Sequence, residues 1–113
     1  MNVLKISPTA SEMIMIDPSL EAFHEVVEGN IDIVTLVPGK LVMVVNDEGL
    51  LLELPLNPGA SAIADRPIVG NVFIAGVAEE DLTDVPNGVV PALLSVANLA
   101  IIAYELTEDG DEE

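Results

Sequence analysis

The residues with the most chemical reach in this 113-residue chain are carboxylates. Glu79, Glu80 and Asp81 are consecutive, and Asp84 follows closely. Asp47 and Glu48 adjoin in VMVVNDEGLLLELPLNPG, residues 42–59. Two carboxylates divide acid and base work when a fold sets them across a concave site in unlike environments. Glu79 to Asp84 instead run into turn formers and read as a solvated loop. A calcium loop needs oxygen ligands at alternating positions over about 12 residues. Asp47 and Glu48 are side by side and leucines follow. Asn46-Asp47-Glu48-Gly49 therefore reads as a hairpin turn, with Asn and Asp bonding local backbone and Gly taking a positive φ. His24 is the only histidine and cysteine is absent, which excludes thiolate catalysis, disulfides and Cys- or His-rich zinc sites. Ser61 has no histidine motif near it, and the sequence contains no glycine-rich phosphate loop. No catalytic, cofactor-binding or metal-binding residue is assigned, no cofactor is implied, and the chain is not expected to be an enzyme.

Charge narrows the partners. Twenty acidic residues oppose three basic ones, Lys5, Lys40 and Arg66, for a net charge of −17. Such a surface repels nucleic acid and anionic lipid and attracts a basic protein. The candidate partner-binding residues are Glu21, Glu25 and Glu28, spaced along the outer side of one helix, and Glu79, Glu80 and Asp81. Carboxylates spaced along an oligomer could also mimic DNA, which carries one charge per about 1.7 Å of axis.

The elements that must position these groups follow from apolar periodicity. Residues 3–6 and 11–16 read as a strand pair closed by Asp17-Pro18. Residues 19–29 read as a helix capped by Ser19, with Leu20, Phe23 and Val27 inward and Gly29 as the left-handed residue after its end. Strands are expected over residues 31–37, 41–45, 50–54 and 68–77. Residues 55–67 read as an irregular loop, and Gly70 as a bulge or close backbone approach. Polar, turn-rich residues then lead to a helix over residues 91–106. The order β-β-α-β-β-β-β-α gives an α+β class. The expected architecture is a mostly antiparallel sheet of about five to six strands, a helix on one face and a C-terminal apolar helix. One domain spans residues 1–106 and an acidic, frayed tail spans 107–113.

The C-terminal helix is unusual because residues 89–104 carry no charge. A membrane span needs about 20 apolar residues, and Pro91, Ser95 and Asn98 interrupt this run, so no membrane is expected. Leu93, Val96, Ala97, Ala100, Ile101 and Tyr104 make one face; Leu94, Asn98, Leu99 and Ile102 make another. A small sheet covers one face, and the other needs a partner. A homo-oligomer is expected, with Leu94, Asn98, Ile101 and Ile102 at its interface. No long apolar core follows a basic start at the N-terminus, so the expected location is cytoplasmic.

The motifs NDEGLLLELPLN and PIVGNVFIAGV, with the unit DPSLEAFHEVVEG–IDIV before them, resemble a known family. The chain is similar over residues 1–91 to domain of unknown function 3846, small domains carried by bacteriophages and actinobacterial plasmids. The resemblance implies a phage or mobile-element setting and transfers no site residue. The expected function is a small, acidic, non-enzymatic phage-type protein that binds a protein partner, as a host-directed inhibitor or a nucleic-acid mimic. The alternatives are a sponge-like oligomer binding a small molecule or nucleotide, and a virion structural or assembly protein.

Overall fold

The computed structural model describes residues 1–111, with side chains to Thr107. In chain order it contains β1 (Asn2–Ile6), β2 (Ser11–Met15), α1 (Leu20–Val27), β3 (Ile31–Val37), β4 (Leu41–Asn46), α2 (Pro58–Ala64), β5 (Val72–Ala78), β6 (Asp81–Thr83) and α3 (Val90–Asp111), the last preceded by a 3-10 turn at Asn87–Val89. The strands form one six-stranded sheet in the order β2-β1-β5-β4-β3, with β6 paired to the distal half of β5. Every pairing is antiparallel. The expected α+β class, with its antiparallel sheet and apolar C-terminal helix, is what the chain forms.

Strand alternation sorts the core into two layers. Leu4, Ile6, Met43, Val72 and Ile74 pack with α2 and with Ala97 of α3. Val3, Val44, Phe73 and Ala75 point the other way and pack with Val27 of α1. Phe73 meets Phe23 of α1 at a ring-centroid distance of 5.4 Å. β5 is central and covered on both faces, so VFIA is buried throughout rather than alternating. Helices thus cover both faces of the sheet, not one as expected, because α2 adds a layer that the sequence reading lacked.

Several local expectations change. Residues 50–54 do not form a strand. β4 already pairs with β3 and β5, so a hairpin strand after it has no free edge to join. Residues 47–53 instead coil into successive turns, with Leu52 N donating to Glu48 O at 2.9 Å and Leu54 N to Gly49 O at 3.1 Å. Asn46 starts this turn as an acceptor: its Oδ1 takes the Glu48 N–H at 2.7 Å. Its Nδ2 donates to Val27 O at 3.0 Å and so ties the turn to the end of α1. Gly49 has no positive φ. It is required because a Cβ there would lie 2.6 Å from Val69 Cγ2.

The expected loop 55–67 contains α2, which Asn57 caps by accepting from Ala60 N at 3.0 Å, with Pro58 in the first turn. The long strand expected from residue 68 begins at Val72. Before it, Val69 bridges to Leu56, and Gly70, at φ +75°, passes against Leu54 where a Cβ would meet Cδ1 at 2.7 Å. The residues read as a solvated loop after β5 close a hairpin to β6, whose two-residue tip, Glu79-Glu80, has φ of 52° and 72°. Two positive φ values are what this turn geometry demands to match strand twist.

In α1, Ser19 caps as expected, accepting from Ala22 N at 3.2 Å. Leu20 is exposed, and Val26 joins Phe23 and Val27 against the sheet. The left-handed residue is Glu28, φ 62°, not Gly29. Gly29 serves contact instead, since a Cβ there would meet Asn46 Nδ2 at 2.7 Å. The α3 backbone runs past Leu106 to Asp111. Of the tail expected to fray, residues 107–113, the backbone of 107–111 continues α3, and residues 112–113 lie outside the described residues.

Candidate interaction surfaces

α1 positions the first set of carboxylates. Packing Phe23, Val26 and Val27 on the sheet turns Glu21 and Glu25 outward. Two clefts flank this helix. One, of about 410 Å³, is lined by Glu25 with Ala22, Val26, Asp17, Ile16, Met15 and Lys5. The other, of about 530 Å³, is lined by Pro18 and Phe23 on one side and Glu80, Asp81 and Leu82 on the other. The β5–β6 hairpin therefore brings its carboxylates beside the start of α1, although more than fifty positions separate them in the chain. Glu79 is exposed at the hairpin tip. Glu28 is exposed as well, but its Oε2 accepts a hydrogen bond from Asn71 Nδ2 at 2.9 Å. Lys5 is the only lysine or arginine lining either cleft. It faces Glu12 across the β1–β2 pair.

α3 presents a different surface. Ala97 and Ile101 are buried, and Leu93, Leu94 and Val90 pack with Ala97 against the sheet and α2. The crossing is close: a Cβ on Gly59 would stand 3.1 Å from Ala97 Cβ. Of the four residues expected at an oligomer interface, Ile101 belongs to the chain's own core and Leu94 is half-buried against it. Asn98 is exposed, with its Oδ1 accepting from Ser11 Oγ at 2.8 Å. Ile102 is exposed, as are Val96, Leu99, Tyr104 and Leu106. The helical stretch Asn87–Thr107 has the length and mean hydropathy, 1.8, of a membrane-crossing segment. Its inner face, however, is committed to α2.

A third surface was not legible beforehand. Residues 46–51 and 66–69 bound an open groove of about 450 Å³ against Asp32, Val34 and Val45. Its floor is apolar. Arg66 stands at its rim with Asp32, Asp47 and Glu48, and Leu50 and Leu51, 78% and 83% exposed, form a lip. The signal in the sequence was LLLEL, three successive leucines without strand alternation.

Two further polar side chains, Ser61 and Asp84, are engaged in holding the fold. Ser61 Oγ donates to Asn57 O at 2.7 Å and accepts from Ile68 N at 2.8 Å, so it fastens α2 to the chain that follows. Asp84 Oδ1 accepts from Asn2 N at 2.8 Å, tying the chain after β6 to β1. Among the described residues, no group of three or more His, Asp or Glu side chains is placed to hold a metal ion.

With this geometry in hand, comparison with known proteins places the chain. Residues 1–94 match the domain of unknown function DUF3846, and the chain belongs to that family. No curated protein and no solved structure matches it. The match covers the whole sheet, α1 and α2, and ends inside α3.

Proposed function

We propose that this DUF3846 member is a non-enzymatic binding protein that works as a homo-oligomer and engages a basic protein partner through the face carried by α1 and the β5–β6 hairpin. The setting that suits it is the cytoplasm of a phage-infected or plasmid-bearing cell, where it would act as a host-directed inhibitor or a DNA mimic. One observation carries the reading. Glu25, from α1, and Glu80 and Asp81, from a distant hairpin, line the two clefts that flank α1, with Glu21 exposed on the same helix, and a single lysine lines them. Facing carboxylates attract cationic surfaces over about a Debye length and speed their encounter. The apolar outer side of α3 serves assembly.

A small-molecule reading draws on the Arg66 groove, whose volume falls in the range typical of ligand sites, roughly 300–1,000 Å³. Asp32, Asp47 and Glu48 beside Arg66 argue against an anionic ligand there.

The test compares two baits in bacterial cell extract: the wild-type chain and a variant combining Glu21→Gln, Glu25→Gln, Glu79→Gln, Glu80→Gln and Asp81→Asn. All five side chains are exposed, so the variant keeps its fold. A basic protein held by the wild type should be retained roughly tenfold less by the variant, since exposed charge pairs each contribute a fraction of a kcal/mol. Equal retention by both baits refutes the acidic face as the binding surface.

A further inference from the structure

Val89, Ala92, Val96, Leu99, Ala103 and Leu106 follow one another at intervals of three and four residues, and all six are exposed. This is the a/d repeat of a two-helix seam, with Val96 and Ala103 at a and Ala92, Leu99 and Leu106 at d, and Val89 closing the 3-10 turn just before α3. The inner side of α3 is already occupied, by Ala97 and Ile101, so the seam is a second, separate stripe on the same helix. Leu93 and Ala100 flank it on one side, Ser95 and Ile102 on the other. No charged residue occurs between Asp84 and Glu105.

The occupant that fits is a second copy of this chain. With a net charge of −17, two copies repel wherever their carboxylates meet. The α3 seam is the long uncharged surface on which they can close. Leu99, Ile102 and Leu106 are 68%, 54% and 66% exposed and continuous with Val89 and Val96, a contiguous apolar patch that marks an interaction site on a soluble domain. An interface of roughly 800 Å² per partner needs this stripe and its flanks.

Orientation follows from size and charge. Pairing the helices antiparallel about Leu99 sets Ala92 opposite Leu106 and Val96 opposite Ala103, so large residues meet small ones. It also brings Glu105 of one helix near the positive N-terminal end of the other. A parallel pair would set the two Glu105 carboxylates side by side. We infer that the outer face of α3 is a two-fold, antiparallel helix–helix interface between copies of this chain, centred on Leu99. This rests on the reading of the chain as a homo-oligomer and adds the seam and its direction.

The chain has no cysteine, so single introduced cysteines report cleanly. Under mild oxidation Leu99→Cys should give a covalent dimer. Ala92→Cys alone should not, because antiparallel pairing separates the two copies of that position by about 21 Å, fourteen residues at 1.5 Å each. A mixture of Ala92→Cys and Leu106→Cys chains should cross-link between unlike chains. A dimer from Ala92→Cys alone shows a parallel seam and overturns the orientation while leaving self-assembly standing. A solution mass of 11.9 kDa for the wild type, with no cross-linking at any position, overturns the homo-oligomer reading itself.

Discussion

Asn57→Leu is expected to abolish cooperative folding. Asn57 is fully buried, and every polar atom of its side chain is used. Nδ2 donates to Ile6 O at 2.9 Å and to Gly70 O at 2.7 Å, and Oδ1 accepts from Ala60 N at 3.0 Å. One amide thus joins β1, the segment before β5 and the first turn of α2. Leucine has the same number of side-chain heavy atoms, is bulkier, and makes none of these bonds. It would leave three buried backbone groups without partners, at about 1–3 kcal/mol each. The total is comparable with the whole stability of a small domain, about 5–15 kcal/mol. Circular dichroism during urea titration should show the cooperative transition lost or displaced to the lowest denaturant concentrations. A midpoint within a few tenths of molar of the wild type would mean that Asn57 does not hold these elements together.

The second large effect separates two residues of α3 that are only two positions apart. Ile101 is 6% exposed and Leu99 is 68% exposed. Ile101→Glu puts an unpaired carboxylate into the buried side of α3, one helical turn beyond the fully buried Ala97, which costs several kcal/mol and should unfold the chain. Leu99→Glu puts its charge in water within the free chain and in the seam within the assembly. The fold should survive, with a thermal midpoint close to wild type at equal chain concentration once dissociation is allowed for, and the mass should fall to that of one chain. Light scattering and circular dichroism on both variants read the difference. The opposite pattern, with Leu99→Glu unfolded and Ile101→Glu folded but dissociated, would mean that the inner and outer faces of the helix have been exchanged.

The strands β1 to β5 and the helices α1 and α3 were legible because each couples an apolar period to a turn signal: Pro38-Gly39 after β3, Ser19 before α1, an uncharged run in α3. α2 was missed although Asn57-Pro58 is a proper helix start; three prolines and short alanine-rich content made the segment look irregular. Residues 50–54 misled for a tertiary reason. A strand needs a free edge, and β4 is flanked on both sides in the finished sheet, which no local pattern announces. β6 was hidden by its turn, since Glu79-Glu80 lacks the glycine or asparagine that usually marks positive φ. The acidic residues themselves were plain in the sequence. Their gathering was not: only the β5–β6 pairing sets Glu80 and Asp81 beside α1. Nor could the sequence separate the two apolar stripes of α3, because which one is spare depends on where α2 crosses it at Gly59.

The two proposed faces of the molecule have opposite physical character, and salt distinguishes them. Contacts between carboxylates and a basic partner are screened as the Debye length shortens from about 10 Å at 0.1 M to roughly 4–5 Å at 0.5 M salt. An apolar seam between two like-charged chains is favoured by the same screening. Sedimentation of the chain with the basic protein that it captures, across that salt range, measures both at once. The predicted result is loss of the partner with rising salt while the chain itself stays at twice its 11.9 kDa mass. Partner binding unchanged by salt, with the same complex retained by the amide-substituted variant, would contradict the claim that the acidic face is the binding surface.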